Sequence, residues 1–181
     1  MLKLSCLSAV FLLLPILFSQ TAVAACSAYL DQDMRRLHAK DEVDLCALTE
    51  GKPALLINTA SHCGYTPQFK GLESLHKSYE ERGLVVIGFA SDSFNQEAAT
   101  EEKAADVCFV NFGVSFTMLA PTPVKGDGAN PVFKELSRQA GPPLWNFNKY
   151  LIDSDGQVIE HFDSSTRPNS KKLREAIEMV L

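Results

Sequence analysis

Residues 55–69, LLINTASHCGYTPQF, constrain the fold of this chain more than any other stretch. The apolar run Leu55–Ile57 predicts a buried strand. After a short loop, Thr66 and Pro67 suit the start of a helix, because threonine caps free N–H groups and proline has none to leave unpaired. Apolar side chains then recur on one helical face as far as Gly83, which is typical of a helix end. A strand–loop–helix unit is therefore predicted at the centre of the fold.

Cys63 lies in this loop, directly ahead of the predicted helix N-terminus. The free N–H groups and the positive dipole end there favour an anion, so they favour the thiolate over the thiol. The thiolate is the nucleophilic form of cysteine. A buried structural cysteine is the alternative for a lone Cys, but this position favours a reactive one.

The rest of the chain predicts alternating strands and helices. The predicted elements are a strand at 84–89, a helix from Thr100 to Gly113, a helix at 131–140, a hairpin of 149–152 with 157–162, and a C-terminal helix, with 112–128 irregular. This order is a thioredoxin-like α/β layout, a central mixed sheet flanked by helices. Two short strands at 34–37 and 43–48 are expected to add an N-terminal hairpin extension.

The first 25 residues predict a secretory signal peptide. A single charge, Lys3, precedes the apolar run 4–18, and polar and then small residues follow up to Ala25. Cys26 after these residues also fits a lipoprotein box, although the polar spacer argues against lipidation. We therefore expect an exported protein, periplasmic or secreted and without a stable membrane anchor, whose residues 26–181 form a single domain.

Charge and cysteine spacing exclude several classes of function. The net charge is −5 and there is no basic stripe, so neither nucleic acid nor anionic lipid is expected as a partner. The sequence contains no Cys-x-x-Cys pair and no zinc-type spacing, so a metal site is not expected.

The five cysteines divide into groups. Cys6 would leave with the signal peptide; Cys26 and Cys46 are close together in the N-terminal extension, and Cys63 and Cys108 lie further along the chain. An even number of cysteines in an oxidising compartment favours pairing. We predict a structural disulfide between Cys26 and Cys46 and a redox couple of the other two.

Four blocks of this sequence resemble the glutathione peroxidase family. The loop around Cys63 is similar to the family signature Asn-x-Ala-Ser-x-Cys-Gly-x-Thr-x-Gln-aromatic in its cysteine form. The blocks FASDSFNQE (89–97), CFVNFGVSF (108–116) and WNFNKYL (145–151) resemble three further family segments in the same order. The resemblance runs from about Gly51 to the C-terminus. It implies a thiol-dependent peroxidase that reduces hydrogen peroxide and organic hydroperoxides to water and alcohols.

The resemblance also implies a catalytic set of Cys, Gln, Trp and Asn. Cys63 takes the place of the peroxidatic nucleophile, and Trp145 and Asn146 supply N–H donors that can stabilise a thiolate and then the departing oxygen anion. The family glutamine aligns with Ser93, which has no amide donor. Gln96 is nearby, and the sequence leaves open which group replaces the glutamine.

Cys108 matches the resolving cysteine of family members that use thioredoxin-type reductants; a helix-packing cysteine is the alternative. In the implied cycle, a sulfenic acid on Cys63 is resolved by Cys108 or by glutathione. The thiol reductant, thioredoxin-type or glutathione, is a co-substrate, and no cofactor is expected. Only 13 residues separate Pro131 from Trp145, where tetrameric members are longer, which implies a monomer.

Two other functions compete with this reading. A peroxide-responsive redox sensor or relay would use the same cysteine but would pass its oxidation to a partner protein. A thioredoxin-like disulfide oxidoreductase is disfavoured, because Thr66 stands where a Cys-x-x-Cys motif needs its second cysteine.

Overall fold

The computed structural model describes residues 26–181, and the predicted signal peptide with Cys6 lies outside the described residues. The first elements are an antiparallel hairpin of β1 (Asp33–Arg35) and β2 (Glu42–Asp44), followed by the short helix α1 (Leu45–Thr49). The predicted hairpin extension is confirmed. Its second strand is shorter than predicted, because the Asp44 side chain accepts a hydrogen bond from the Ala47 N–H and caps α1.

A five-stranded mixed sheet lies at the centre of the molecule. Its strands are β3 (Ala54–Thr59), β4 (Val85–Ala90), β5 (Thr117–Leu119), β6 (Lys149–Ile152) and β7 (Val158–Phe162), in the order β5-β4-β3-β6-β7. β3, β4 and β5 are parallel, whereas β6 runs antiparallel to both β3 and β7. β3, which carries the loop to Cys63, is thus a central strand.

Helices cover both faces of the sheet. They are α2 (Gln68–Tyr79), α3 (Glu101–Ala105) with a π-helical turn (Asp106–Asn111), α4 (Pro131–Ala140) and α5 (Lys171–Val180). Leu55 and Ile57 of β3 pack into a core with α2, α3 and α5, while Leu56 packs into a second core with α1 and α4. This alternation follows from the two-residue period of a strand buried on both faces. The predicted thioredoxin-like layout is confirmed.

Two local predictions are wrong. β5 lies inside the segment 112–128 that was predicted to be irregular, because a three-residue strand carries too little periodicity and takes its conformation from pairing with β4. Thr66 does not cap α2, which begins at Gln68 after Pro67. Its hydroxyl is instead used inside the loop, where it bonds to Ala60 and Cys63.

Candidate active site

Cys63 lies in the loop that joins the carboxyl end of β3 to α2. The Cys63 N–H donates to Thr66 Oγ1 at 3.0 Å, and the Thr66 N–H donates back to the Cys63 carbonyl at 3.0 Å. The Thr66 hydroxyl donates in turn to the Ala60 carbonyl at 2.8 Å. Thr66 therefore closes the loop and fixes Cys63 just ahead of the helix.

Cys63 is buried, with 6% of the residue exposed, and its thiol faces a backbone donor. The Tyr65 N–H donates to Cys63 Sγ at 3.4 Å. The sulfur therefore lies against a backbone donor in the loop just ahead of α2.

The segment 145–148, just before β6, is tied to the end of β3. The Trp145 carbonyl accepts hydrogen bonds from the side chains of Asn58 at 3.0 Å and Asn148 at 2.9 Å. The Phe147 N–H donates to the Asn58 carbonyl at 2.6 Å. Phe147 has a φ of +63°, in the left-handed region that non-glycine residues rarely adopt. These contacts orient Trp145 and Asn146 as a rigid unit.

Asn146 is fully buried, and its side chain meets Gln96. The Asn146 Nδ2 donates to Gln96 Oε1 at 3.1 Å, which leaves the Gln96 amide NH₂ as a donor. Within residues 26–181, the Asn146 Oδ1 is buried without a hydrogen-bond partner. An unpaired buried acceptor costs about 1–3 kcal/mol. The pair thus offers one free donor and one free acceptor.

Ser93 and Gln96 play different parts in the structure. The Ser93 hydroxyl accepts a hydrogen bond from the Val124 N–H at 3.0 Å, which joins the loop after β4 to the segment after β5. Gln96 contacts Asn146 and accepts, through its carbonyl, the N–H of His62 at 2.9 Å, one residue before the cysteine. The structure therefore brings Gln96, and not Ser93, to the cysteine loop. The only sequence signal for this role of Gln96 was that it is a glutamine three residues beyond Ser93, the position that aligns with the family glutamine.

Trp145 lies at the rim of the site, with 40% of its surface exposed. Its ring packs on Phe94 with the centroids 5.3 Å apart, and the Lys125 ammonium lies 4.1 Å from the Phe94 ring centroid. This stack holds the partly exposed indole ring at the surface beside Asn146.

Cys108 is buried in the π-helical turn, in the same apolar cluster as Cys63. Both are free thiols, carried on separate elements. Burial, and secondarily the charge of Glu97, raises the pKa of Cys108 to about 12. Cys108 is therefore a neutral thiol as long as the turn is closed.

Glu97 is a partly buried carboxyl group that the sequence analysis did not single out. Its Oε1 accepts hydrogen bonds from the N–H groups of Ser61 at 3.1 Å and Ala98 at 2.8 Å, and also from the Ser61 hydroxyl. Burial raises the pKa of Glu97 despite these donors. The carboxyl group ties the loop before Cys63 to the segment that leads into α3.

Cys26 and Cys46 meet on the N-terminal side of the molecule. Both are free thiols, and their side chains are close enough for each to affect the other's environment. Burial and then the contact with Cys46 raise the pKa of Cys26 to about 12. The structure thus brings the two predicted partners together without a bond between them, and the disulfide stays a prediction.

In the described part of the chain, no cluster of three or more His, Cys, Asp or Glu side chains could hold a metal ion.

Comparisons with known proteins give one consistent likeness. A family profile described as glutathione peroxidase matches residues 32–137. The chain is 44% identical over 138 residues to the glutathione peroxidase-like peroxiredoxin gpx1 of Schizosaccharomyces pombe, covering 73% of this chain and 86% of the relative. It is 40% identical over 131 residues to the hydroperoxy fatty acid reductase Gpx2 of Synechocystis, covering 72% and 85%.

Solved structures give the same likeness. The crystal structure of T. cruzi GPX1 superposes with a TM-score of 0.64 at 25% identity, covering 84% of this chain and 97% of that one. Within residues 26–181, every helix is too short or too polar to span a bilayer.

Proposed function

The chain belongs to the glutathione peroxidase family and is a thiol-dependent peroxidase, and from that premise we propose that its cycle runs through Cys63 as the nucleophile. The observation that carries this proposal is the Cys63 thiol itself, which accepts the Tyr65 N–H at the head of α2. The Synechocystis relative is a hydroperoxy fatty acid reductase by name, which supports organic hydroperoxides as well as hydrogen peroxide as substrates.

In the proposed first step, the Cys63 thiolate attacks one peroxide oxygen. The S–O bond forms as the O–O bond breaks, and the other oxygen leaves and takes a proton to become water or an alcohol. The sulfur loses two electrons and becomes a sulfenic acid. We assign the Gln96 amide and the Trp145 indole as the N–H donors that stabilise the departing oxygen anion. Asn146 holds the Gln96 amide with its free NH₂ available.

In the proposed second step, Cys108 resolves the sulfenic acid. Its thiolate attacks the Cys63 sulfur, the S–S bond forms, and the hydroxyl group leaves as water. The π-helical turn supports this role, because π-helical hydrogen bonding is rare and concentrates at functional sites. Opening of the turn would expose Cys108 to water and lower its raised pKa, which makes the attacking thiolate accessible.

An external thiol then completes the cycle. A thioredoxin-type dithiol or two glutathione molecules reduce the disulfide by exchange, returning both cysteines as thiols and leaving the reductant oxidised. The proposed cycle needs no cofactor. Catalytic turnover with added reductant distinguishes this enzyme from a redox relay, which would give one stoichiometric oxidation and a mixed disulfide with its partner.

The experiment that tests the nucleophile is Cys63→Ser. We expect this variant to lose peroxide turnover, because the helix N-terminus does not activate a serine hydroxyl to the same extent. Circular dichroism serves as the control for folding. Activity above a tenth of the wild-type value would contradict the assignment.

The matched experiment for the resolving step is Cys108→Ser. This variant should complete one oxidation of Cys63 by peroxide and then fail to be recycled by a thioredoxin-type protein. Trapping of the sulfenic acid with dimedone measures the first oxidation. Normal cycling of the variant with thioredoxin would make Cys108 a packing residue and move the chain to a one-cysteine, glutathione-using mechanism.

We also propose that the protein is exported and works as a monomer of a single domain, residues 26–181. Residues 1–25 have the pattern of a signal peptide, which supports export. The segment 132–144 is shorter than the corresponding segment of tetrameric family members, which supports a monomer. N-terminal sequencing of the mature protein and size-exclusion chromatography with light scattering test the two statements.

A further inference from the structure

Two side chains hold consecutive carbonyl groups in the segment that carries Trp145 and Asn146. The Asn148 Nδ2 donates to the Trp145 carbonyl at 2.9 Å, and the Ser164 hydroxyl donates to the Asn146 carbonyl at 2.6 Å. The same Asn148 Nδ2 also donates to Ser164 Oγ at 2.9 Å. A peptide unit is planar, so a bond to its carbonyl fixes the direction in which the neighbouring side chains leave the backbone. Asn148 therefore supports both Trp145 and Asn146.

The orientation of the Asn148 amide is fixed by partners that can act in one way only. The Trp145 carbonyl can only accept, so Nδ2 must face it. The Leu144 N–H can only donate, and it lies 3.4 Å from Oδ1. Asn148 is 2% exposed, which leaves little room for water to replace these partners. Any further partner of the Asn148 Oδ1 must therefore be a donor.

His161 of β7 supplies this donor. Its Nε2 lies 2.9 Å from the Asn148 Oδ1, and its Nδ1 lies 3.1 Å from the carbonyl of Ala140 at the end of α4. Burial lowers the pKa of His161, so the ring is neutral at neutral pH and carries a single N–H. Because both neighbours are acceptors, the neutral ring can donate to only one of them, and the shorter contact is the one to Asn148.

A stack on a core side chain holds the His161 ring in place. Tyr150 is its cross-strand neighbour in β6, and the two rings lie with their centroids 4.0 Å apart and their planes inclined by 13°. Tyr150 is fully buried, and its hydroxyl donates to the Gly141 carbonyl at 2.8 Å. The His161 ring thus rests on a fixed surface, and its Nε2–H has a fixed direction.

We infer that His161 is a positioning residue of the peroxidase site, whose Nε2–H orients Asn148 and through it the segment that carries Trp145 and Asn146. The inference deepens the proposed peroxidase function and rests on it for the roles of Trp145 and Asn146. His161 itself acts through Asn148, and the reacting atoms are left to Cys63 and the donors around it.

The test separates the N–H of His161 from its ring. His161→Phe keeps a ring that can stack on Tyr150 but has no donor. His161→Gln lacks the ring but can place an amide N–H near the position of Nε2, whereas the shorter His161→Asn reaches only the position of Nδ1. With one equivalent of hydrogen peroxide, the Phe and Asn variants should oxidise Cys63 about two- to tenfold more slowly than the wild type, the range expected for one hydrogen bond, and the Gln variant should stay within about twofold.

Gln139→Ala is the matched control for loss of stability. The Gln139 Oε1 accepts the Val158 N–H at 2.7 Å, so it also joins α4 to β7. Within the described residues its side chain bonds to Glu135, Gly156 and Val158 but not to Asn148. This variant should lower Tm and leave the oxidation rate of Cys63 unchanged.

A second readout does not depend on turnover. Trp145 is the only tryptophan of the chain, so its fluorescence in the reduced protein without peroxide reports its own surroundings. Acrylamide should quench this fluorescence more strongly in the Phe and Asn variants of His161, because the indole is less firmly held. Quenching in the Gln variant and in Gln139→Ala should match that of the wild type.

A double variant tests whether His161 acts through Asn148. In an Asn148→Ala background, His161→Phe should cause no further loss of rate, because both substitutions remove the same support. Losses that add up in the double variant would overturn the inference.

The remaining outcomes separate the positioning role from the peroxidase cycle. A wild-type rate in His161→Phe overturns the inference, and a Gln variant as slow as the Phe variant assigns the effect to the ring stack and overturns it too. If His161→Phe folds poorly, the Gln and Asn variants, which both lack the ring, decide the question. If peroxide does not oxidise Cys63 in the wild type while quenching of Trp145 still follows the hydrogen bond, the cycle is wrong and the positioning role stands.

Discussion

Substitution of Gly113 by alanine should accelerate disulfide formation between Cys63 and Cys108. Gly113 follows the π-helical turn with a φ of +65°, and a Cβ there would meet no atom within 4 Å. The cost of alanine is therefore backbone strain alone, about 1–2 kcal/mol. Opening of the turn relieves this strain, so the open population should rise roughly five- to thirtyfold.

We expect the turn to open with little disturbance of the rest of the core. Cys108 is the one buried residue of the turn Asp106–Asn111, and Val110 is 75% exposed. Beyond the turn, the Val114 N–H donates to the Cys108 carbonyl at 3.0 Å, a bond that opening would break. Opening would remove the core contacts of Cys108 and of the partly buried Val107, while the other side chains of the turn are already exposed. A small number of buried side chains is the physical condition for local opening.

Contacts on either side of the turn should confine the opening. At the start of α3, Arg35 makes a bidentate pair with Glu101 at 2.7 Å. After the turn, Glu73 of α2 accepts both the N–H and the hydroxyl of Ser115, at 2.8 and 2.6 Å. The segment between these two anchors is the part that we expect to move.

The assay is a single-turnover experiment with one equivalent of peroxide. Fluorescence of Trp145, the only tryptophan of the chain, reports oxidation at the site. Rapid quenching with an alkylating reagent followed by mass spectrometry reports the disulfide. Oxidation of Cys63 should proceed at the wild-type rate in Gly113→Ala, and the disulfide should appear roughly five- to thirtyfold faster.

Gly51 provides a matched control. Its φ is +66°, a Cβ there would also meet no atom within 4 Å, and it lies between α1 and β3. Gly51→Ala should lower the free energy of unfolding by a similar amount but leave disulfide formation unchanged. Equal rates in the two variants, with both shown to be destabilised, would refute local opening as the step that controls resolution.

Three further predictions concern other parts of the molecule. Non-reducing peptide mapping of the mature protein should find Cys26 bonded to Cys46, with a stabilisation of about 3 kcal/mol from closure of the loop; a diacylglyceryl group on Cys26 would rule this out. Asn146→Ala should lower the second-order rate of peroxide reduction about a hundredfold, measured with the first turnover, because the Gln96 amide loses its support; a loss below twofold would remove Asn146 from the site. Burial lowers the pKa of Lys149 from 10.5 to about 7. Between these two pH values the unfolded chain binds more protons than the folded chain. The free energy of unfolding should therefore rise with pH in this range, by at most about 1.4 kcal/mol per pH unit. Urea titrations at pH 7 and pH 9 should show a smaller rise in Lys149→Met, and an equal rise would contradict the burial of a neutralised amine.

The elements that the sequence predicts well are those with a long periodic face or a local cap. The helix at Pro131–Ala140 has the predicted bounds, because Asn130 accepts the Phe133 N–H at its start and Gly141 follows it with a φ of +83°. Thr100 caps α3 as predicted, with its hydroxyl accepting the Lys103 N–H. Such signals lie within a few residues of the element that they specify, so they can be read without the fold.

The elements that escape prediction depend on distant partners. β5 is a strand because it pairs with β4, and nothing in its three residues requires that conformation. Thr66 stands at a position where the sequence predicts a helix cap, yet its hydroxyl donates to the Ala60 carbonyl at 2.8 Å inside the loop. A polar side chain takes the partner that tertiary contacts supply, and local propensity does not rank those partners.

The amino-acid sequence by itself determined the strand–loop–helix unit, the position of Cys63 ahead of a helix, and the resemblance that points to peroxide reduction. Only the tertiary structure decided that Gln96 meets Asn146 while Ser93 does not, and that Cys26 lies beside Cys46. It also decided that Arg174 shares a groove with Gly64, although the two are far apart in the chain. The physical reason is that periodicity, capping and dipoles act over one or two turns of chain. Tertiary contacts join segments that are distant in sequence: Gln96 meets Asn146 because β3 pairs with both β4 and β6, which brings the loop after β4 and the segment before β6 to the same edge of the sheet.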